Sequence, residues 1–248
     1  MRHAFSTKGL RRTWSALLLG FALVALDARQ LASQDAEPRP RTRFYRLFEA
    51  ISNERLAEVR RRLPTAAHIN DLDTTSGCTP LTWTLVPGDA PTPAQLQILT
   101  LLLDRGADPN VRDANGTSAM EAAVAYPWPE ALRLLIARGG DVRTPAAVGD
   151  TTLLYSVCTS SSSPWPGIEA QRLEIAQLLL DAGLDPRATT PWAEEHDFSA
   201  IDQCIVYRLP EIARLYARRG GRPRSMLGST DPERAGLVRE LVGLSGGR

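Results

Sequence analysis

Four stretches of the chain carry apolar side chains at helical spacing and close on a glycine in a shared frame. They read ILTLLLDRG, ALRLLIARG, IAQLLLDAG and IARLYARRG, ending at Gly106, Gly139, Gly183 and Gly220. Eight positions before each glycine stand Ile98, Ala131, Ile175 and Ile212. Five before stand Leu101, Leu134, Leu178 and Leu215, and four before stand Leu102, Leu135, Leu179 and Tyr216. Apolar positions three and four residues apart line one face of an α-helix, so each stretch predicts a helix with one wide buried stripe. The glycine fits the residue past a helix end, where the left-handed conformation penalises a Cβ.

A second kind of helix start precedes each stretch: GCTPLTWT (Gly77–Thr84), GTSAMEAA (Gly116–Ala123), GDTTLLYS (Gly149–Ser156) and, in weaker form, DFSAIDQC (Asp197–Cys204). The hydroxyl residue in third place (Thr79, Ser118, Thr151, Ser199) suits an N-cap, where its oxygen accepts from free backbone N–H groups. Pro80 is tolerated in the first turn, whose N–H groups lack helical partners anyway. The chain therefore repeats a helix–turn–helix–hairpin unit. Units of this kind stack into a solenoid that buries a continuous seam and leaves a long surface free for partners.

These motifs resemble the ankyrin repeat family, with Gly106-Ala-Asp-Pro-Asn110 leading into Asp113-x-x-Gly116-x-Ser118 as the best match. A unit from Leu47 to Asn70 looks like an N-terminal cap of that family, departing from its pattern at Arg62, Ala66 and His68. None of the units keeps the family's histidine; Thr82, Glu121, Leu154 and Asp202 take its place, which predicts weaker internal hydrogen bonding. The resemblance implies an all-α, ankyrin-like solenoid of about five helix–turn–helix repeats joined by short hairpin loops. The array is expected over residues 43–225, with a C-terminal capping helix and tail at 226–248. Leu237, Val238, Leu241 and Leu244 form that helix's apolar stripe. The four glycines lie 33, 44 and 37 residues apart, against a family period of about 33. The excess falls into loops: Val86–Pro93, Tyr126–Pro129 and Cys158–Ala170 between first and second helices, and Thr189–Asp197 before the last unit. Prolines in these stretches bar helix continuation.

Ahead of the array, Arg2, Lys8, Arg11 and Arg12 precede Trp14–Leu26, thirteen residues with Ser15 alone polar. Such a run is short of the roughly 20 residues of a membrane span and fits the core of an export signal. Residues 1–28 are thus expected to be an export signal, with Ala28 the candidate cleavage site, or an uncleaved inner-membrane anchor through residues 14–26. Residues 29–42 read as a flexible linker. The expected location is periplasmic or secreted.

With 29 basic and 28 acidic residues the net charge is +1, so no nucleic-acid partner is indicated. Lys8 is the only lysine. Such arginine dominance reads as the composition of a GC-rich bacterium, which makes the expected relative an exported bacterial type. Three cysteines without C-x-x-C spacing predict no zinc site. Cys158 and Cys204 fall near the ends of first helices in successive units and form either a disulfide, if the protein is exported, or two buried thiols. Cys78 stays unpaired.

The histidines are His3, His68 and His196. Glu194, Glu195, His196 and Asp197 make a polar cluster, but adjacency along a loop does not converge side chains, and no hydrolase or phosphate-loop motif is present. No enzyme activity, metal or cofactor is expected; a hydrolase with a site near Glu194–Asp197 is the minor alternative. The main expectation is a monomeric, non-catalytic scaffold for protein–protein interaction, with membrane contact only if the N-terminal segment stays uncleaved. The family resemblance implies a partner surface on the hairpin tips and the concave face of first helices. That places Asp73, Thr75, Arg112, Asn115, Trp83 and Glu121 on it, with Trp83 equally suited to the core. Trp128 and Trp165, each between prolines, are candidate anchors of a second surface, a loop rim.

Overall fold

The apolar stripes read from the sequence become two parallel rows of helices. The computed structural model describes residues 44–63, 68–86, 91–146, 151–159 and 168–245. Residues 1–43, Trp165 and most of the Cys158–Ala170 insertion lie outside them, and with them the expected signal, the expected linker and that candidate anchor. Five helix pairs follow one another: α1 (Tyr45–Ser52) and α2 (Leu56–Arg62), α3 (Pro80–Leu85) and α4 (Pro93–Asp104), α5 (Ala119–Ala125) and α6 (Pro129–Ala137), α7 (Leu153–Val157) and α8 (Ile168–Asp181), α10 (Ala200–Val206) and α11 (Pro210–Arg218). A short α9 (Pro191–Glu195) interrupts the last hairpin, and α12 (Pro232–Ser245) closes the array. Among the described residues there is no strand, only an isolated bridge between Ala146 and Thr151.

First helices pack on first helices in the order α1, α3, α5, α7, α10, and second helices do the same in the order α2, α4, α6, α8, α11. The buried positions explain the stacking. Leu102, Leu135, Leu179 and Tyr216, four before each glycine, are fully buried, as are Ile98, Ala131 and Ile175 eight before. The positions five before are only partly buried and mark the edge of the stripe. Tyr216 replaces leucine without leaving its phenol unpaired, because its hydroxyl donates to the Leu154 carbonyl of the preceding unit at 2.9 Å.

Local chemistry starts and stops the helices. Thr79, Ser118 and Ser199 cap α3, α5 and α10, and Thr92 with Gln95 forms a reciprocal capping box on α4. In the fourth unit the cap is Thr152, one residue beyond the expected Thr151. Thr151 instead spends its carbonyl on the Ala146 amide at 2.7 Å, which shifts the frame by one and puts Tyr155 rather than Leu154 in the place of the family histidine. The expected loss of internal hydrogen bonding is corrected at two of the four units. Thr82 and Asp202 each return a side-chain bond to the N-cap backbone.

Asp202 does more. Fully buried, it also accepts from the Arg224 and Met226 amides at 2.9 and 3.0 Å, so one carboxylate ties the last helix pair to the closing segment. Burial pushes its carboxyl above the ordinary range, against the opposing effect of these donors. The closing helix seals less than its stripe predicts. Val238 and Leu241 are buried, whereas Leu244 is exposed along with Val242.

The four frame glycines all lie at positive φ, from +86° to +93°. A second glycine has a different reason. At Gly140 a Cβ would come within 2.9 Å of the Leu135 carbonyl, so this position is excluded by space rather than by φ. Between units, Asn70 accepts from the Asp108 amide at 2.8 Å and Asn110 accepts from the Asp141 amide at 2.7 Å. Ion pairs cross the outer seams, among them Asp104–Arg138 at 2.9 Å, Asp181–Arg219 at 3.2 Å and Arg214–Glu240 at 2.7 Å. Each is exposed and contributes little by itself.

Gly139→Val is expected to lower stability by about 1 kcal/mol or more, because the left-handed conformation penalises a Cβ. Asp202→Ala leaves three part-buried amides, those of Ser199, Arg224 and Met226, without this acceptor and should cost about 3 kcal/mol. Urea titration followed by circular dichroism measures both.

Candidate functional site

The hairpin tips are built by aspartates. In the first, Asp73 Oδ2 accepts from the Thr75 and Ser76 amides at 3.1 and 2.9 Å, and the Gly77 amide returns to the Asp73 carbonyl at 2.8 Å. In the second, Asp113 Oδ1 accepts from the Asn115 and Thr117 amides at 2.8 and 2.9 Å. The Ala114 amide donates to the Gly77 carbonyl at 2.9 Å, so the two tips lie side by side. Burial raises the Asp113 carboxyl above its usual range, and the backbone donors oppose that shift. Cys78, buried beneath the first tip, has its thiol pushed up to about 11 and is held protonated and unreactive.

The structure divides the expected partner residues. Thr75 and Asn115 are exposed on adjacent tips. Asp73 and Glu121 are corrected to interior positions, 4% and 7% exposed, because the hairpin turn consumes one and the first turn of α5 encloses the other. Arg112 is half-buried and occupied: it donates to the Gly116 carbonyl of its own hairpin and to the Pro145 carbonyl of the next at 2.6 Å. Trp83 is half-buried, stacked on Phe48 with ring centres 4.9 Å apart, and its indole N–H donates to Ser52 Oγ at 3.1 Å. It splices the first two units. The reading from sequence missed Leu72, an exposed apolar residue beside Thr74 and Thr75. Its signal was an apolar residue inside an Asp-rich turn, where no helical stripe claims it.

Trp128 is corrected from a rim anchor to a core residue, 6% exposed. The YPWP connector is just long enough to turn the chain. The Trp128 amide donates back to the Ala123 carbonyl at 3.1 Å, and the residue becomes the N-cap of α6. Its ring shares a small cleft with Thr84, Leu85, Pro91, Gln95 and Tyr126. The first two insertions do meet there, since Pro91 and Tyr126 line one pocket, but the indole fills the seam between units.

Cys158, at the end of α7, and Cys204, in α10, are paired with their Cα atoms 4.8 Å apart, within disulfide reach. In Glu194–Asp197 the two end carboxylates have separate partners. Glu194 accepts from Thr189 at 2.5 Å, Asp197 faces Arg224 at 3.7 Å, and all four residues are exposed. No group of three or more metal-ligating side chains occurs among the described residues, and none of their helices is long and apolar enough to cross a membrane.

Residues 76–114, from the first hairpin tip through α3 and α4 to the second, match the family model for the ankyrin repeat. Ankyrin repeat and SOCS box protein 6 of Homo sapiens is 31% identical over 119 residues, 47% of this chain and 26% of that protein. The protein of that name from Pongo abelii matches to the same extent. An ankyrin repeat-containing protein of Schizosaccharomyces pombe is 35% identical over 79 residues, 32% of this chain and 31% of that protein. The chain therefore spans less than a third of the length of these relatives. The family match, the relatives and the stacked helix pairs support the ankyrin repeat family and define an all-α, ankyrin-like solenoid. Such repeats suggest a scaffold for protein–protein interaction.

Trp128→Ala should destabilise the array by about 3 kcal/mol or more, as expected for emptying a buried indole site. Thr75→Ala and Asn115→Ala should leave the melting temperature within about 2 °C of the parent, as surface changes do. Calorimetry on the three variants separates the core residue from the tips.

Proposed function

We propose that the protein is a non-catalytic scaffold acting outside the cytoplasm, binding a protein partner through its hairpin tips and the adjoining concave face. The observation that carries this reading is the pair of adjacent tips. Leu72, Thr74, Thr75, Ala114 and Asn115 are exposed on them, while the turn aspartates beneath hold the backbone rigid. A preformed tip loses little conformational freedom on binding. Asp73, Glu121 and Arg112 serve as its supports rather than its contacts.

The compartment rests on the basic start and the apolar run at Trp14–Leu26. The cysteine pair is in keeping with it, because disulfides persist where the surroundings are oxidising. The relatives named above are eukaryotic, so the bacterial type rests on composition alone. A membrane-anchored adaptor differs only in retaining residues 14–26, and N-terminal sequencing of the protein recovered from cells distinguishes the two.

Crosslinked capture of the full chain, followed by mass spectrometry, identifies the partner. A Thr75→Arg, Asn115→Arg double variant should then bind that partner at least about tenfold more weakly with an unchanged melting temperature, as disruption at an interface centre does. Unaltered affinity would remove the tips from the site. Fusion of residues 1–42 to a reporter active only after export should give signal, and a silent fusion would reverse the compartment.

A further inference from the structure

The fourth unit is the array's least self-sufficient. Its first helix, α7, has five residues, against six to eight in the other four first helices. One turn and a half of helix is marginal without tertiary support. The side-chain ladder that splices earlier units, Asn70 to Asp108 and Asn110 to Asp141, ends before it, because Arg143 and Arg187 occupy the equivalent asparagine positions. Within the unit the buried Arg172 of α8 donates to the Val157 carbonyl at 3.3 Å, and further ties on α7 come from the unit that follows. Cys158 at its end meets Cys204 of α10, and the Leu154 carbonyl receives the Tyr216 hydroxyl of α11 at 2.9 Å. From there Asp202 carries the connection to the closing segment and Arg214 to Glu240 of α12. Apart from the exposed Arg214–Glu240 pair, the C-terminal part is thus stitched by buried or part-buried long-range bonds, the N-terminal part by hairpin hydrogen bonds.

We infer that the Cys158–Cys204 pair is a redox-conditioned staple that sets the stability of the array from α7 onward and leaves the first three units independent of it. This rests on the proposed oxidising compartment. The bond forms by thiol–disulfide exchange. A thiolate of the pair attacks an external disulfide, one external thiol leaves, and the second cysteine displaces the other. The cross-link therefore gains one S–S bond, and the external disulfide is reduced to two thiols. Both cysteines are fully buried, so a reductant reaches the bond only when the unit opens. The cross-link spans a sequence separation of 46, enclosing α8 and α9, and so constrains much of the unfolded C-terminal part. Because a solenoid couples only nearest neighbours, loosening α7 uncouples the last pair and the closing helix from the rest without melting the N-terminal units.

The test uses the purified full chain, oxidised with glutathione disulfide or reduced with dithiothreitol in mild urea and then returned to buffer. Mass-resolved thiol labelling verifies each state. Hydrogen exchange on oxidised and reduced protein should show exchange faster by about tenfold or more across residues 151–159 and 168–245 after reduction, with residues 91–137 unchanged. A lower-temperature transition should separate, shifted by about 10 °C. Cys204→Ala, which cannot form the bond and keeps a small apolar side chain, should behave like the reduced parent under both conditions. Equal exchange in verified oxidised and reduced protein would overturn the staple while leaving the bond intact. Persistence of the Cys158 and Cys204 thiols beside that of Cys78 after oxidation would overturn both the bond and the staple, and uniform acceleration over both halves would overturn the independence of the first three units.

Discussion

The burial that each helix pair obtains from its neighbour is the constraint on which this molecule depends. A single pair presents a stripe such as Ile98, Leu99 and Leu102 and has no second layer to cover it. The next pair supplies that layer with Ala131, Leu132 and Leu135, and the one after with Ile175, Ala176 and Leu179, all fully buried. Apolar area removed from water in this way is worth about 25 cal/mol per Å², and none of it is available to an isolated unit. The repetition of the stripe, the rigid stacking and the exposure of a long edge are consequences of the same requirement.

Polar groups adapt to that stacking in two ways. Toward the N-terminus the splices lie mostly at the surface: asparagine side chains accept from the amides of the next turn, Arg112 donates to the Pro145 carbonyl of the next hairpin, and Trp83 reaches back to Ser52. Toward the C-terminus the splices are buried and more costly to break. Asp202 is enclosed with its donors, Tyr216 takes its hydroxyl into the core, and Cys158 meets Cys204. A buried carboxylate whose acceptor sites are filled fixes one arrangement of the closing segment, because any other leaves a desolvated charge. The exposed ion pairs along the second helices contribute alignment more than energy.

The surface left over defines what the scaffold can offer. Its tips are small, mostly neutral and backed by aspartate-locked turns, so they offer shape and hydrogen-bonding groups rather than a charged field. The overall charge of +1 agrees with that character. Trp128, one of the two candidate anchors, and Trp83, equally suited to the concave face and the core, are spent within the array as splices between units.

Much of the architecture was legible in the sequence because it is local. A helical stripe, a hydroxyl N-cap and a left-handed glycine each need only a few neighbouring residues, so Ile98, Ser118 and Gly139 could be assigned their roles from spacing alone. The one-residue slip from Thr151 to Thr152 arose where a second local interaction, the bridge across the hairpin to Ala146, competed with the cap. Exposure was not legible in the same way. Asp73, Glu121 and Trp128 sit in polar or proline-rich surroundings, yet turn formation and the approach of the neighbouring unit bury them. The closing-segment partners of Asp202 lie 22 and 24 residues away with no motif to mark them, whereas Cys158 and Cys204, 46 apart, could be matched because the repeat frame puts both near the ends of first helices. Sequence determined that a repeated apolar stripe must be stacked. Tertiary structure decided which side chains the stacking enclosed, because burial belongs to the pair of surfaces and not to either alone.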